Sequence, residues 1–241
     1  TGITYFDQKT TEFRFRPGPI FANVVVADEI NRATPRTQSA LLEAMQERTV
    51  SIEGETHPLP APFLVVATQN PIELEGTFPL PEAQIDRFMM RLSMGYPAES
   101  EEISLVLGEI AAGSPVEAAG TPEEVEAARR TVQQVYLSPE TAEYLTTIVR
   151  ATRTAPGVEL GASPRASLAL GAAARALAAI QHRASVTPAD IKRLAPVVLE
   201  HRVVMTVEAR LREQTPAALI ERVLATTPVP VEGNIGLANG S

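Results

Sequence analysis

The chain has 241 residues, with 21 Lys and Arg against 29 Asp and Glu, a net charge of −8, 44% hydrophobic residues, and neither Cys nor Trp. This globular composition argues against a nonspecific grip on nucleic acid or an anionic membrane, both of which need surplus cations. Without Cys there is no disulfide, thiol nucleophile or thiolate metal site; a cytoplasmic protein is expected, and no apolar run approaches the ~20 residues that span a bilayer.

From Thr4 to Phe15 spaced aromatics flank the polar centre Asp7-Gln8-Lys9-Thr10, which predicts a hairpin. After the break at Arg16-Pro17-Gly18-Pro19, the run Val24-Val25-Val26-Ala27 has the character of a strand buried on both faces, and Asp28-Glu29 ends it. Thr34-Pro35 opens a helix, Thr as cap and Pro at the first helical position, with Ala40, Leu41, Ala44 and Met45 at helical spacing. The period then falls to two at Val50 and Ile52, and Glu53-Gly54-Glu55 closes a second hairpin. A second buried-strand run, Phe63 to Ala67, stops at Thr68-Gln69-Asn70-Pro71. Two such strands alternating with a helix predict an α/β layer with a parallel sheet.

Beyond Tyr96-Pro97 the pattern changes. Thr121-Pro122, Ser138-Pro139, Ser163-Pro164, Thr187-Pro188 and Thr215-Pro216 repeat the cap-then-proline signature and predict a helical series, the longest helix running from Pro164 to about Arg183. The expected units are residues 1–96 (α/β), 97–226 (helical) and a disordered or extended tail, 227–241. Met89, Met90 and Met94 suggest core packing, and the scattered His57, His182 and His201 suggest surface or capping roles.

The chemistry concentrates at strand ends. Asp28 and Glu29 belong at the carboxyl edge of the sheet, where open α/β folds bind ligands. In a nucleoside triphosphatase the first acid serves Mg²⁺ and the second polarises the attacking water; the alternative is a strand end capped by solvated acids. If the strands are neighbours, Gln69-Asn70 sets an amide beside these carboxylates; an Asn before Pro otherwise marks a turn. Arg87 lies near the end of a short helix from Pro81 to Phe88 and suits either phosphate charge in a neighbouring subunit or a salt bridge to Asp86 or Glu82. Arg165 sits in a helical first turn, where positive charge is disfavoured unless an anion meets it or water solvates it.

Residues 18 to 88, GPIFANVVVADEINRATPRTQSALLEAMQERTVSIEGETHPLPAPFLVVATQNPIELEGTFPLPEAQIDRF, strongly resemble MoxR-type AAA+ ATPases of the clade that includes magnesium chelatase subunits. SPRASLALGAAARALA and VTPADIKRLAPVVLEHRV look like that family's lid. The resemblance implies a partial AAA+ core followed by an all-α lid. It also implies ATP and Mg²⁺ as cofactors, Asp28 and Glu29 as Walker B acids, with Asp28 serving the metal and Glu29 as catalytic base. Asn70 would be sensor 1, Arg87 the arginine finger acting on a neighbour, and Arg165 the sensor 2 arginine. The Thr4–Phe15 hairpin falls at the clade's helix-2 insert, and Thr49 to Pro60 at its pre-sensor 1 hairpin.

One departure stands out. A phosphate loop needs G-x-x-x-x-G-K-[ST], and the two lysines, Lys9 and Lys192, do not follow Gly. The family carries that loop upstream with further core strands. The expectation is therefore a chain cut from something longer, which as given neither binds ATP tightly nor hydrolyses it, with an α/β part left marginal by its missing neighbours. For the complete protein the resemblance implies a homo-oligomeric, hexameric ring that remodels protein complexes, its protein substrate exemplified by a von Willebrand A domain protein or a metalloenzyme under assembly. A noncatalytic subunit completing a neighbour's site is the second reading. A nucleic-acid motor is the third, disfavoured because the Thr49–Pro60 hairpin carries Glu53 and Glu55 and no cation.

Overall fold

The computed structural model describes residues 2–52, 54–70, 76–109 and 116–230. Strands β1 (Gly2–Asp7) and β2 (Glu12–Pro17) form the expected antiparallel hairpin, with Phe6 and Phe13 edge to face at 5.3 Å. β3 (Val24–Ala27) is followed by α1 (Pro35–Glu47), whose cap Thr34 accepts the Thr37 N–H, and α1 ends on Arg48 at φ 59°. β4 (Thr49–Ile52) and β5 (Glu55–Pro58) make the second hairpin, of whose turn Glu53 lies outside the described residues. β6 (Leu64–Ala67) then pairs with β3 in parallel, Val24 opposite Leu64 and Ala27 opposite Ala67.

Leu41 and Met45 of α1 pack with Val25 and Val65 on one face of this strand pair, around buried Ala44, Val50, Leu59 and Phe63. The expectation that both faces are buried does not hold. Val24, Val26, Leu64 and Val66 on the opposite face are 57, 66, 55 and 45% exposed, because α1 covers one side and no described element covers the other. Side chains alternate along a strand, so a continuous apolar run shows that two apolar faces exist and leaves open whether both are covered.

Short helix α2 (Glu82–Ile85) ends before Arg87, which lies in the turn beyond it rather than inside a helix reaching Phe88. After α3 (Glu99–Val106), which buries nothing, come α4 (Pro122–Gln133), α5 (Pro139–Thr154), β7 (Val158–Leu160), α6 (Pro164–Ile180), α7 (Pro188–Leu199), β8 (Val204–Met205), α8 (Val207–Leu211) and α9 (Pro216–Thr226). All five cap-proline pairs open helices. Thr121, Ser138, Ser163 and Thr215 accept a backbone N–H from the first turn, while Thr187 donates its own N–H and hydroxyl to Asp190.

The helical unit closes over Ile148, Leu170, Ile191, Val198, Leu199 and Ile220. Burying one such side chain contributes about 1.5 to 3 kcal/mol, which gives this unit an apolar core of its own. It adds one feature to the expected helices, an antiparallel ribbon of β7 with β8. Of the three methionines assigned to the core, Met90 packs against this cluster, while Met89 and Met94 are 43 and 98% exposed. Most of the expected tail, residues 231–241, lies outside the described residues.

Candidate functional site

Because Ala27 pairs with Ala67 in a parallel register, Asp28 and Thr68 emerge side by side at the carboxyl edge. The Thr68 hydroxyl donates to Asp28 Oδ1 at 2.5 Å and accepts the Glu29 N–H at 2.8 Å, while the Ile30 N–H reaches the Thr68 carbonyl at 3.0 Å. Glu29 is held at φ 49°, ψ 51°, a left-handed conformation that costs a non-glycine residue of order 1 kcal/mol or more and that clusters at functional sites. Its carboxylate meets Arg32 at 3.0 Å. Asn70 follows on the same edge, and its carbonyl lies 3.4 Å from Asn31 Nδ2. Asp28 is exposed, and Glu29 and Asn70 are half-buried. The three polar residues expected at the strand ends therefore share one edge of one parallel pair.

A buried amide that sequence reasoning missed holds this edge from behind. Gln38 of α1 is 1% exposed and donates through Nε2 to the carbonyls of Ile30 and Phe78, at 3.1 and 2.8 Å. The Phe78 N–H in turn reaches the Asn31 carbonyl at 2.6 Å. A polar residue buried in this way fixes the loop after Glu29, since leaving either carbonyl unpaired costs about 1 to 3 kcal/mol. The only available signal was one Gln falling on the apolar side of a helical wheel.

The two candidate arginines lie elsewhere. Arg87 is exposed and lines a cleft of about 290 Å³ with Ser39, Glu43 and Gln46 of α1. It forms no ion pair with Asp86 or Glu82, because Asp86 binds Arg202 Nε at 2.9 Å and the Ser163 hydroxyl at 2.8 Å. Arg165, exposed in the first turn of α6, comes within 3.5 Å of Gln46 Oε1, so both arginines lie near one stretch of α1. Gln46 is about 18 Å along that helix from its Thr34 cap at 1.5 Å per residue. The same end of α1 adjoins the amino edge of the sheet, where the Arg48 guanidinium donates to the Phe63 carbonyl. Neither arginine is brought to the Asp28 edge of its own chain.

His201 also departs from expectation. It is largely buried, its Nε2 faces the Phe88 carbonyl at 3.2 Å, and its Nδ1 is buried with no hydrogen-bond partner. Burial first, then the charge of Arg202, pulls its pKa down to about 4, so the ring is neutral at neutral pH, with its proton on Nε2.

For Mg²⁺ the test is the donor set. Among the described residues no group of three or more acidic or imidazole side chains could cage a metal. Mg²⁺ does not need such a cage, since it keeps waters and takes one or two carboxylates plus substrate phosphates. An exposed Asp28 with Oδ1 tethered by Thr68 and Oδ2 outside that hydrogen bond fits this mode. Among the described residues no helix is long and apolar enough to cross a membrane.

Comparison with known proteins identifies the family. Residues 1–90 match the ATPase family associated with various cellular activities (AAA), and residues 150–223 match the AAA lid domain. The uncharacterized protein YeaC of Bacillus subtilis is 46% identical, across 96% of this chain and 73% of its own length. Chaperone MoxR1 of Mycobacterium tuberculosis is 42% identical, across 95% of this chain and 63% of its own. Protein MoxR of Paracoccus denitrificans is 31% identical, across 90 and 72%. The crystal structure of a candidate ATPase from Cytophaga hutchinsonii superposes with a TM-score of 0.88 at 36% identity, covering 95% of this chain and 73% of that one. The chain thus spans between 63 and 73% of the length of these relatives. With an AAA match over the strand-end acids, a lid match over the helical unit, and this identity to MoxR proteins, the chain belongs to the MoxR family of AAA+ ATPases.

Proposed function

We propose that these residues supply the water-activating and lid portions of a cytoplasmic, ATP-hydrolysing ring protein that remodels protein complexes. The observation that carries this reading is the convergence of Asp28, Glu29 and Asn70 on one edge of the β3–β6 pair. In this reading Asp28 would hold Mg²⁺, which would neutralise phosphate charge. Glu29 orients and deprotonates the attacking water, and Asn70 senses the terminal phosphate through its side-chain amide. The left-handed backbone at Glu29 supports a site role, since strain of this kind persists where surrounding bonds over-determine it.

Arg87 and Arg165 sit near the Gln46 end of α1, away from the Asp28 edge, which favours service to a neighbouring subunit's nucleotide and hence a homo-oligomer, in this family a hexameric ring. Likeness to Chaperone MoxR1 supports a chaperone role, and the sequence resemblance adds a protein substrate such as a von Willebrand A domain protein. The reading is tested in a chain that also carries a phosphate-binding loop. Glu29→Gln should keep MgATP binding and lose turnover by about 10²-fold or more, and full turnover in that variant would exclude the water-activating role.

A second reading rests on one observation: Arg87 is exposed and unpaired among the described residues. A noncatalytic subunit would then lend Arg87 to another chain's site. Adding this chain to a hydrolysing partner subunit, with and without Arg87→Ala, separates the two readings.

A further inference from the structure

Among the hydrogen bonds between the α/β unit and the lid, four converge on one lid side chain. Arg202, at the end of the helical turn that follows α7, is 6% exposed and uses all five of its donors. Nε binds Asp86 Oδ1 at 2.9 Å. Nη1 binds the carbonyls of Met89, at 3.2 Å, and Val198. Nη2 binds the carbonyls of Asp86 and Phe88, at 3.2 and 2.5 Å. The planar fork therefore grips the main chain on both sides of Arg87, at residues 86, 88 and 89. The other oxygen of Asp86 takes the hydroxyl of Ser163, the cap of α6, and Arg165 occupies the first turn of that helix. The Arg91 N–H adds a bond to the Val197 carbonyl at 2.9 Å.

Two consequences follow from these contacts. The turn carrying Arg87 and the helix start carrying Arg165 are tied to the same carboxylate, so the two arginines keep a fixed separation although they belong to different units. Asp86, with both oxygens engaged, also leaves the adjacent Arg87 guanidinium uncompensated.

We propose that Asp86 and Arg202 act as a pair of positioning residues, a latch that holds the lid on the α/β unit and presents Arg87 and Arg165 together as one cationic edge. That this edge meets a phosphate rests on the function proposed above; the latch itself does not. Arg202 is suited to the role because its planar donors fit a carboxylate and four carbonyls at once, whereas a lysine offers three donors from one point.

The absence of cysteine permits a direct test. Nitroxide labels at Arg36→Cys on α1 and Ala172→Cys on α6, both exposed positions, report the separation of the units by pulsed electron spin resonance. In the otherwise unchanged chain the distance distribution should be narrow. Asp86→Ala should broaden it at least twofold while leaving lid helicity in place, because Asp86 lies outside the lid core; the melting point should fall, because buried Arg202 loses its carboxylate partner. Arg202→Met should broaden it similarly, and Arg202→Lys should not restore it. A distribution of unchanged mean and width in Asp86→Ala would overturn the latch, even if Arg202→Met proved too unstable to measure. A broadened distribution here, together with full hydrolysis by Arg87→Ala and Arg165→Ala variants of a chain that also carries a phosphate-binding loop, would retain the latch and remove the phosphate reading instead.

Discussion

The hydroxyl of Thr68 lies 2.5 Å from Asp28 Oδ1, and the same oxygen accepts the N–H of Glu29, so one threonine at the end of β6 orients both acids at the end of β3. Valine matches threonine in shape but can make neither bond. Thr68→Val should therefore lower the urea-unfolding free energy by about 1 to 3 kcal/mol, the worth of two such bonds with one to a charged group. Thr68→Ser should lose less than half of that. A larger loss in Thr68→Ser than in Thr68→Val would mean that the methyl group, not the hydroxyl, matters.

At Glu29 the backbone and the carboxylate can be separated. Glycine accepts φ 49° without strain but loosens the unfolded chain, so Glu29→Gly should change stability by no more than about 1 kcal/mol in urea titrations. In a chain carrying a phosphate loop the same change should abolish turnover. A larger loss of stability would show that the Glu29–Arg32 ion pair, and not the backbone, dominates at this position.

His201 makes stability depend on pH in a defined direction. Its folded pKa of about 4 lies below its ordinary value of 6.5, so between these limits the unfolded chain binds more protons. Its contribution is fully present above pH 6.5 and is lost as the pH falls towards 4. The loss should be on the order of 1 to 2 kcal/mol, allowing for the solvent that reaches the ring. It should show as a urea midpoint that falls more steeply from pH 7 to 4.5 than that of His201→Gln. Parallel curves would mean that protonation of Nδ1 costs nothing beside Arg202 and Arg91.

Calorimetric titration of this 241-residue chain with MgATP should show no micromolar binding, because no loop of backbone amides and lysine is present to hold the β- and γ-phosphates. Micromolar affinity would place the phosphate contacts on other residues of this chain.

The exposed valines predict behaviour in solution. Val26→Lys replaces a side chain that is 66% exposed and should cost less than about 0.5 kcal/mol while raising the concentration at which light scattering sets in. Ile148→Ala, in the lid core at 0% exposure, should cost about 2 to 5 kcal/mol.

What could be read from the sequence depended on how local the cause was. The cap-proline pairs act within one turn, and all five opened helices; the shift from helical period to period two marked the end of α1 and the start of β4. Asp28 and Asn70 could be placed at strand ends because apolar runs stop there. Their shared edge depended on pairing between β3 and β6, which the alternation of two apolar runs with a helix suggested as a parallel sheet without fixing which strands are neighbours. Gln38, Arg202 and His201 were missed because their roles depend on partners as far as 40, 116 and 113 residues away. A buried Arg beside a His at a helix end reads in sequence like any solvated pair. Strands of three and two residues, β7 and β8, are too short to show a period at all.

Helix α1 has the acids just before its first turn, Gln38 bracing the loop between, and Gln46 beside Arg165 near its last. At 1.5 Å per residue it is a stiff rod about 20 Å long, and a tilt of about ten degrees pivoting on its cap would swing Gln46 by about 3 Å. A shift of that size exceeds what one hydrogen bond tolerates. A helix of this stiffness is a lever arm: any tilt set by the loop around Asp28 would displace the arginine side of the same molecule.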